Sequence, residues 1–129
     1  MNAQAQHHFL EAYCRCMNTL DIAPLAAVLH PNFTYAAQTV AEELTPCATF
    51  LDYMDGKLET LRKNKQTLPV WAELCAPGEE RPYALLAQGN KDNVVAVVFA
   101  KEKDGLLLRL DLCIVPPPQN FARTGVYPN

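Results

Sequence analysis

The sequence has 129 residues, of which 50% are hydrophobic and 19% are charged, and its formal net charge is -3. A chain of this length is most simply one domain with a sizeable hydrophobic core, and its slightly acidic balance excludes the basic surface that nucleic acids require. No stretch reaches the roughly 18 apolar residues that span a membrane, so we expect neither nucleic-acid nor membrane binding.

The cysteines indicate the compartment. Their number is odd and they are scattered along the chain, which argues against a disulfide framework. The first eight residues are polar and lack the apolar core of a secretory signal. We therefore expect a cytoplasmic protein with five free thiols, at Cys14, Cys16, Cys47, Cys75 and Cys113.

Two helices are predicted at the start of the chain. The first runs from about Ala3 to Asn18, and one face of it is apolar at a spacing of three and four residues. Asp21 is placed to cap a second, shorter helix that has Pro24 in its first turn. This helix is expected to end at His30-Pro31, because the residue before a proline is disfavoured in a helix. His30 would then cap the helix or face solvent.

A strand is predicted over Phe33–Gln38, and Thr39–Leu44 is expected to return as a short partner strand. Thr45-Pro46 favours the start of a third helix, with apolar side chains at helical spacing from residue 50 to residue 61. Gly56 lies inside this helix, where glycine costs about 1 kcal/mol relative to alanine. We expect it to let another backbone approach closely.

Four further strands are predicted, joined by short connections typical of an antiparallel meander: Thr67–Cys75, Tyr83–Gly89, Val94–Glu102 and Leu106–Val115. Lys103-Asp104-Gly105 is predicted to be a hairpin turn. The prolines at positions 116–118 end sheet pairing. We therefore expect one domain over residues 1–115 and an extended, proline-rich tail over residues 116–129.

The last two strands predict how the sheet is covered. In Leu106–Val115, alternation gives one face five aliphatic side chains, and Arg109 and Asp111 share the other face. Val94–Ala100 is apolar on both faces, and a strand buried on both faces needs cover on both. Helices cover one face, and a second subunit is the simplest cover for the other. We therefore expect a homodimer through the outer face of the sheet.

The order of these elements resembles the NTF2-like superfamily, in particular its SnoaL-like and ketosteroid-isomerase-like branches. The resemblance spans roughly residues 5–115 and is carried by Tyr13, Leu20-Asp21, Leu25–Leu29, His30–Tyr35 and Lys103–Gly105. It implies an α+β cone: three N-terminal helices packed on a strongly curved mixed or antiparallel sheet, with an apolar pocket and often a dimer. Members include isomerases, cyclases, dehydratases, hydrolases and non-catalytic binders, so the fold alone selects no function.

The isomerase branch can be compared residue by residue. Tyr13 matches the tyrosine that donates to the substrate oxyanion. The carboxylate base would fall near Tyr35–Gln38, where there is no acid, and the second donor would fall near Ala96–Val98, which is apolar. Proton abstraction needs a base within hydrogen-bond reach. Ketosteroid isomerase activity is therefore excluded, and the His–Asp pairs of SnoaL-type enzymes have no clear match.

The remaining candidates divide into acids and pocket residues. If the protein is an enzyme, Asp111 or Glu73 would transfer the proton, with Tyr13 or Tyr35 as the donor. Alternatively, the acids lie on the outer face in ion pairs and the tyrosines belong to the core. The predicted ligand-binding residues are Tyr13, Met17, Tyr35, Phe50, Met54, Trp71 and Arg109.

The sequence predicts a class of protein but no specific ligand or reaction. No metal-ligand spacing and no glycine-rich phosphate loop occur, so we expect no metal and no cofactor. The leading hypothesis is a protein that binds a small, largely apolar molecule in the cone. One alternative is a SnoaL-like enzyme, and another is a non-catalytic dimeric interaction module whose pocket is filled by side chains.

Overall fold

The computed structural model describes residues 3–37, 43–44, 47–75, 81–114 and 123–129. Within these ranges the helices are α1 (Ala3–Thr19), α2 (Ala23–Ala26) and α3 (Cys47–Lys63). The strands are β1 (Leu29–Ala37), β2 (Val70–Cys75), β3 (Tyr83–Gln88), β4 (Val94–Lys103) and β5 (Leu106–Ile114). The predicted fold class, helices packed on a curved sheet in an α+β arrangement, is confirmed.

The five strands form one mixed sheet in the order β1-β5-β4-β3-β2. Strand β1 pairs with β5 in parallel, and the other neighbours are antiparallel. The predicted hairpin between β4 and β5 is confirmed: Asp104 and Gly105 have φ values of 55° and 79°. Positive φ at both central residues is the conformation of the two-residue turn that matches the twist of paired strands.

The described helices pack on one face of the sheet. The main core cluster combines α1 and α3 with alternate residues of the strands, among them Ala72, Leu86, Val98 and Leu110. Among the described residues, a smaller cluster on the opposite face consists of strand residues: Cys75, Leu85, Val94 and Val97, with Tyr83, Phe99 and Cys113 packed against them. We call the face toward the helices the concave face and the other the outer face.

The prediction that His30-Pro31 ends the second helix is wrong. Helix α2 ends at Ala26 and His30 lies in β1, where it is buried and its Nδ1 accepts a 2.9 Å hydrogen bond from the Asn32 N–H. The strand begins early because Leu29 pairs with Leu107 of β5. Pro31 is tolerated because β1 lies at the edge of the sheet, where a missing N–H costs no ladder bond.

The predicted alternation of β5 holds only in part. Leu110 and Leu112 face the core as expected, but the third leucine of this core set is Leu107, which is fully buried. The pairing with β4 shifts between Lys101 and Glu102, which pair with Arg109 and Leu107, so β5 contains one extra residue there. Such a bulge exchanges the faces of the residues before it, and Leu106 and Leu108 are only half-buried.

Two expectations near α3 have different outcomes. A Cβ built on Gly56 would meet nothing within 4 Å, so the close backbone approach that we expected there is wrong. Thr45-Pro46 and most of the predicted Thr39–Leu44 strand lie outside the described residues. Leu44 itself forms an antiparallel bridge with Tyr35, through backbone bonds of 2.8 and 3.2 Å.

The last seven residues are extended along β2. The Leu74 N–H donates a 2.8 Å bond to the Val126 carbonyl. The Asn18 side-chain amide of α1 links β2 to this final segment, because its Nδ2 donates to the Ala72 and Pro128 carbonyls at 2.9 and 2.7 Å. Residues 115–122, and with them the start of the predicted tail, lie outside the described residues.

Candidate ligand-binding site

Four of the predicted ligand-binding residues lie in the packed interior beneath the concave face. Tyr13, Tyr35, Phe50 and Met54 are each at most 1% exposed. The Phe50 ring lies 5.0 Å from that of Tyr35 and 4.7 Å from that of Phe33, centroid to centroid. None of the four predicted residues lines either of the two cavities described below. Side chains therefore fill this part of the cone.

Burial keeps both interior phenols neutral. The pKa of Tyr13 is raised well above its usual value, first by burial and then by the neighbouring Tyr35, Cys16, Cys14 and Tyr53. Burial also raises the pKa of Tyr35, as do the charge and the hydrogen bond of Tyr53. Either hydroxyl can donate a hydrogen bond, but neither can act as an anionic base near neutral pH.

Arg109 and Asp111 lie on the outer face and bind each other. Arg109 Nε donates to Asp111 Oδ1 and Oδ2 at 2.9 and 3.1 Å, and Arg109 Nη2 donates to Glu43 Oε1 at 2.6 Å. Asp111 pairs across the strands with Phe99, which belongs to the outer-face cluster. The hydrogen bond that Arg109 donates to Glu43, and then the one that it donates to Asp111, raise the pKa of Arg109 despite partial burial. The guanidinium is therefore occupied by two carboxylates.

Glu73 is the most completely bonded acid of the described chain. Its side chain is 2% exposed, and its oxygens accept bonds from Arg123 Nε (2.7 Å), Thr124 N (2.6 Å), Gly125 N (3.0 Å) and the Tyr127 hydroxyl (3.2 Å). Burial alone would raise the pKa of this carboxyl, but the bonds from Gly125, Arg123 and Thr124 outweigh it and hold the pKa below its usual value. Such a carboxylate is a poor proton acceptor near neutral pH.

The sheet separates the predicted acids from the predicted donors. Glu73 and Asp111 are on the outer face, whereas Tyr13 and Tyr35 are in the core beneath the concave face. A proton transfer that uses one residue of each set needs both within hydrogen-bond reach of one substrate. The structure does not bring these residues into one site.

A cavity of about 140 Å³ lies at the concave face, between the helices and the middle of the sheet. The helices contribute Met17 of α1 and two residues of α3, and strands β2 to β5 contribute the rest. A bulge in β4 places the neighbours Val95 and Ala96 both on this cavity, where strict alternation would expose one of them to the other face. The lining is Met17, Lys57, Leu61, Val70, Leu86, Ala87, Gln88, Val95, Ala96, Leu112 and Ile114.

Lys57 is the one charged residue of this lining among the described residues. It is half-buried, and no carboxylate in the described ranges pairs with it. Burial lowers the pKa of Lys57, and only a Cys16 thiolate would act in the opposite direction. Burial also raises the pKa of the Cys16 thiol to about 12, so this sulfur stays protonated. The cavity is thus apolar with a cation at its wall.

A second cavity, of about 390 Å³, lies beside the first at the β2 edge, and the two share Leu61 and Val70. The predicted ligand residue Trp71 lines this second cavity, together with Lys65, Lys91 and Tyr127. The Lys91 ammonium lies 4.6 Å from the centre of the Tyr127 ring. Trp71 and Met17 are therefore predicted ligand residues that each line one of these two cavities.

Nothing in the described residues points to a bound metal. In the part of the chain that the structure describes, no three His, Cys, Asp or Glu side chains are grouped so that they could hold an ion. All five cysteines are free, and Cys14, Cys16 and Cys75 are buried. None of the described helices is both long and apolar enough to cross a membrane.

Solved structures share this arrangement. A SnoaL-like protein of unknown function from Burkholderia thailandensis is 13% identical, with a TM-score of 0.59 over 88% of this chain and 94% of its own. An NTF2-like protein of unknown function from Cytophaga hutchinsonii is 13% identical, with a TM-score of 0.55 over 83% and 87%. An LEH-like epoxide hydrolase from M. tuberculosis is 11% identical, with a TM-score of 0.54 over 87% and 84%.

The chain has the NTF2-like fold. No protein-family model matches it, and no curated protein is significantly similar to it. At 11–13% identity these neighbours establish the fold alone. They do not transfer an activity to this chain, because one fold carries many functions.

Sequence reasoning missed Lys57, the charged residue in the described lining of the cavity at the concave face. A signal for it exists in α3. Phe50, Met54, Lys57 and Leu61 follow one another at spacings of four, three and four, so the lysine occupies a position of the buried stripe. A charged residue in an apolar stripe is a candidate functional residue. Gln88 could not be found in this way, because the bulge in β4 that shapes its surroundings is a tertiary feature.

Proposed function

We propose that this NTF2-like protein binds a small, largely apolar molecule in the cavity at the concave face. The observation that carries the proposal is the lining: nine of its eleven residues are apolar, and the polar two are Lys57 and Gln88. Binding sites for small molecules have this character, since apolar walls supply affinity and a few polar groups set orientation. At about 140 Å³ the cavity encloses a small molecule or one end of a longer one.

A thermal-shift experiment with neutral cyclic alcohols and ketones tests this. A ligand that binds only the folded state raises its melting temperature, and at a concentration of 100 Kd the gain is about 2.7 kcal/mol. For a domain of this size such a gain raises the melting temperature by several degrees. If no member of the series shifts the melting temperature at millimolar concentration, the proposal is wrong.

A matched pair of variants tests whether the ligand binds beside α3, where Leu61 lines both the concave cavity and the adjoining second cavity. Leu61 and Leu51 are both half-buried leucines of α3 that pack against the core, but only Leu61 lines the cavity. Leu61→Trp is expected to fill the cavity and abolish the shift, whereas Leu51→Trp is expected to keep it. Equal shifts in both variants would place the binding elsewhere and contradict the proposal.

A non-catalytic interaction module is the second candidate. It is favoured by the packed interior around Tyr13, Tyr35 and Phe50, and by a cavity below the usual range of roughly 300–1,000 Å³ for small-molecule sites. The functional surface would then be the outer face of the sheet. An absence of thermal shifts, together with a dimer that outer-face substitutions dissociate, would favour the module over the ligand-binding protein.

A further inference from the structure

We propose that the ligand of the concave cavity carries a carboxylate, and that the Lys57 ammonium binds this head group. The inference rests on the proposed function, because it assigns the polar end of the same largely apolar ligand. Three features of the site support it: the position of Lys57, its lack of a carboxylate partner in the described chain and the chemistry of the surrounding wall.

The helix directs Lys57 inward while the acids of α3 face solvent. Asp52, Asp55 and Glu59 are all exposed, and the last of these pairs with Lys63 at 3.6 Å. Lys57 instead lies on the stripe of α3 that contains the buried Met54 and the cavity residue Leu61. The negative charges of its own helix are thus on the other side.

The other half-buried lysine or arginine of the described chain has carboxylate partners, because Arg109 binds Asp111 and Glu43. Arg123, which is exposed, also binds a carboxylate, that of Glu73. Lys57 is half-buried without such a partner in the described ranges. Partial removal of an ammonium from water without compensation costs free energy, and an anion that enters the cavity recovers it. The apolar wall also excludes competing water, which strengthens a charge-assisted bond.

A second polar residue on the cavity lining, Gln88, suits a ligand acceptor with two oxygens. The backbone of Gln88 is already used, because its N–H donates to the Asn93 carbonyl at 3.1 Å and its carbonyl accepts from Asn93 Nδ2 at 2.7 Å. Its side-chain amide remains as a second polar group on the lining. One carboxylate oxygen would bind Lys57 and the other the Gln88 amide, with the ligand body against Leu86, Val95 and Leu112.

Two probes of nearly equal shape test the assignment: cyclohexanecarboxylate and its neutral amide, cyclohexanecarboxamide. Calorimetric titration of the wild type is expected to give at least about tenfold tighter binding for the carboxylate, which is the typical value of a charge-assisted hydrogen bond. In Lys57→Met, the ratio of the affinity for the carboxylate to the affinity for the amide is expected to fall to about one, while the affinity for the amide itself stays unchanged. Lys103→Met removes an exposed charge at the far end of β4 and is expected to behave as the wild type.

The outcomes separate the two proposals. Equal affinities for both probes in the wild type, or a carboxylate preference that survives in Lys57→Met, overturns the lysine assignment and leaves apolar binding intact. If neither probe binds the wild type at millimolar concentration, both proposals are wrong. Should Lys57→Met fail to fold, Lys57→Gln keeps a polar side chain at this position and is expected to lose the same preference. Lys57→Arg, which keeps the charge, is expected to retain it.

Discussion

Arg123 and Glu73 form a bond of 2.7 Å between residues 50 positions apart in the chain, one in the final segment and the other in β2. The carboxylate is almost completely buried, and its second oxygen accepts the backbone N–H groups of Thr124 and Gly125. A buried carboxylate is tolerated only when it is paired and hydrogen-bonded. The final segment of the chain therefore satisfies a charge that the sheet alone would leave uncompensated.

Glu73→Gln is expected to lower the free energy of unfolding by about 2 kcal/mol at pH 7. The amide keeps the shape of the side chain, but it replaces an oxygen acceptor with an NH2 group that faces donors, and hydrogen bonds to charged groups contribute about 1.5–3 kcal/mol. Denaturant unfolding measures the change. Glu59→Gln, at a glutamate that is 61% exposed and paired with Lys63, serves as the control and is expected to change stability by at most about 0.5 kcal/mol.

The same carboxylate predicts how stability depends on pH. Its folded pKa lies below the unfolded value of about 4.3, so its contribution is present above that value and is lost as the pH falls through the folded pKa. The stability difference between the wild type and Glu73→Gln should therefore shrink as the pH is lowered from 5 toward 2. Urea titrations at several pH values in this window measure it. A difference that stays constant over the window would show that the carboxylate titrates normally.

Local signals predicted most of this fold because turn chemistry and hydrophobic period act over a few residues. The Asp104-Gly105 hairpin is an example, since its two residues tolerate the positive φ that the turn requires. Helix α1 and strand β4 were placed within one residue at each end for a similar reason: their patterns are long and regular. The order of these elements was sufficient to indicate the NTF2-like architecture.

Long-range pairing explains what could not be predicted. Strand β1 starts at Leu29 because a distant segment, around Leu107, pairs with it. The bulge in β5 moves Leu107 into the core, and no local pattern records it. For the same reason the cavity could not be located: it depends on how far Tyr13 and Phe50 fill the cone, which is a matter of tertiary packing.

Replacing either of two glycines with alanine adds the same methyl group, but the two substitutions are expected to change stability in opposite directions. A Cβ on either Gly56 or Gly105 would meet nothing within 4 Å. Gly56 lies inside α3, where alanine is preferred, so Gly56→Ala is expected to stabilise the protein by about 0.5–1 kcal/mol. Gly105 has a φ of 79°, so Gly105→Ala is expected to destabilise it by about 1–2 kcal/mol. Thermal unfolding of both variants checks the signs, and a destabilising Gly56→Ala would point to a packing role for this glycine.

The homodimer through the outer face stays a prediction. The structure shows which outer-face side chains are still partly exposed in one chain and would be covered by a second subunit. Leu85 and Val97 are already buried within one chain, whereas Tyr83, Phe99 and Cys113 are only partly buried. The Arg81 guanidinium lies 4.6 Å from the centre of the Phe99 ring, so one face of this ring already contacts a cation. A second subunit would complete the burial of these side chains.

Light scattering after size-exclusion chromatography tests the dimer. The wild type is expected to have twice the chain mass of 14.3 kDa at micromolar concentration, and Phe99→Glu is expected to have the mass of one chain because it places a charge at the centre of the contact. Leu68→Glu is the control: this leucine is 44% exposed but lies in the connection before β2, away from the outer-face cluster. A wild-type mass of one chain would reject the dimer, and a dimer that survives in Phe99→Glu would place the interface on another surface.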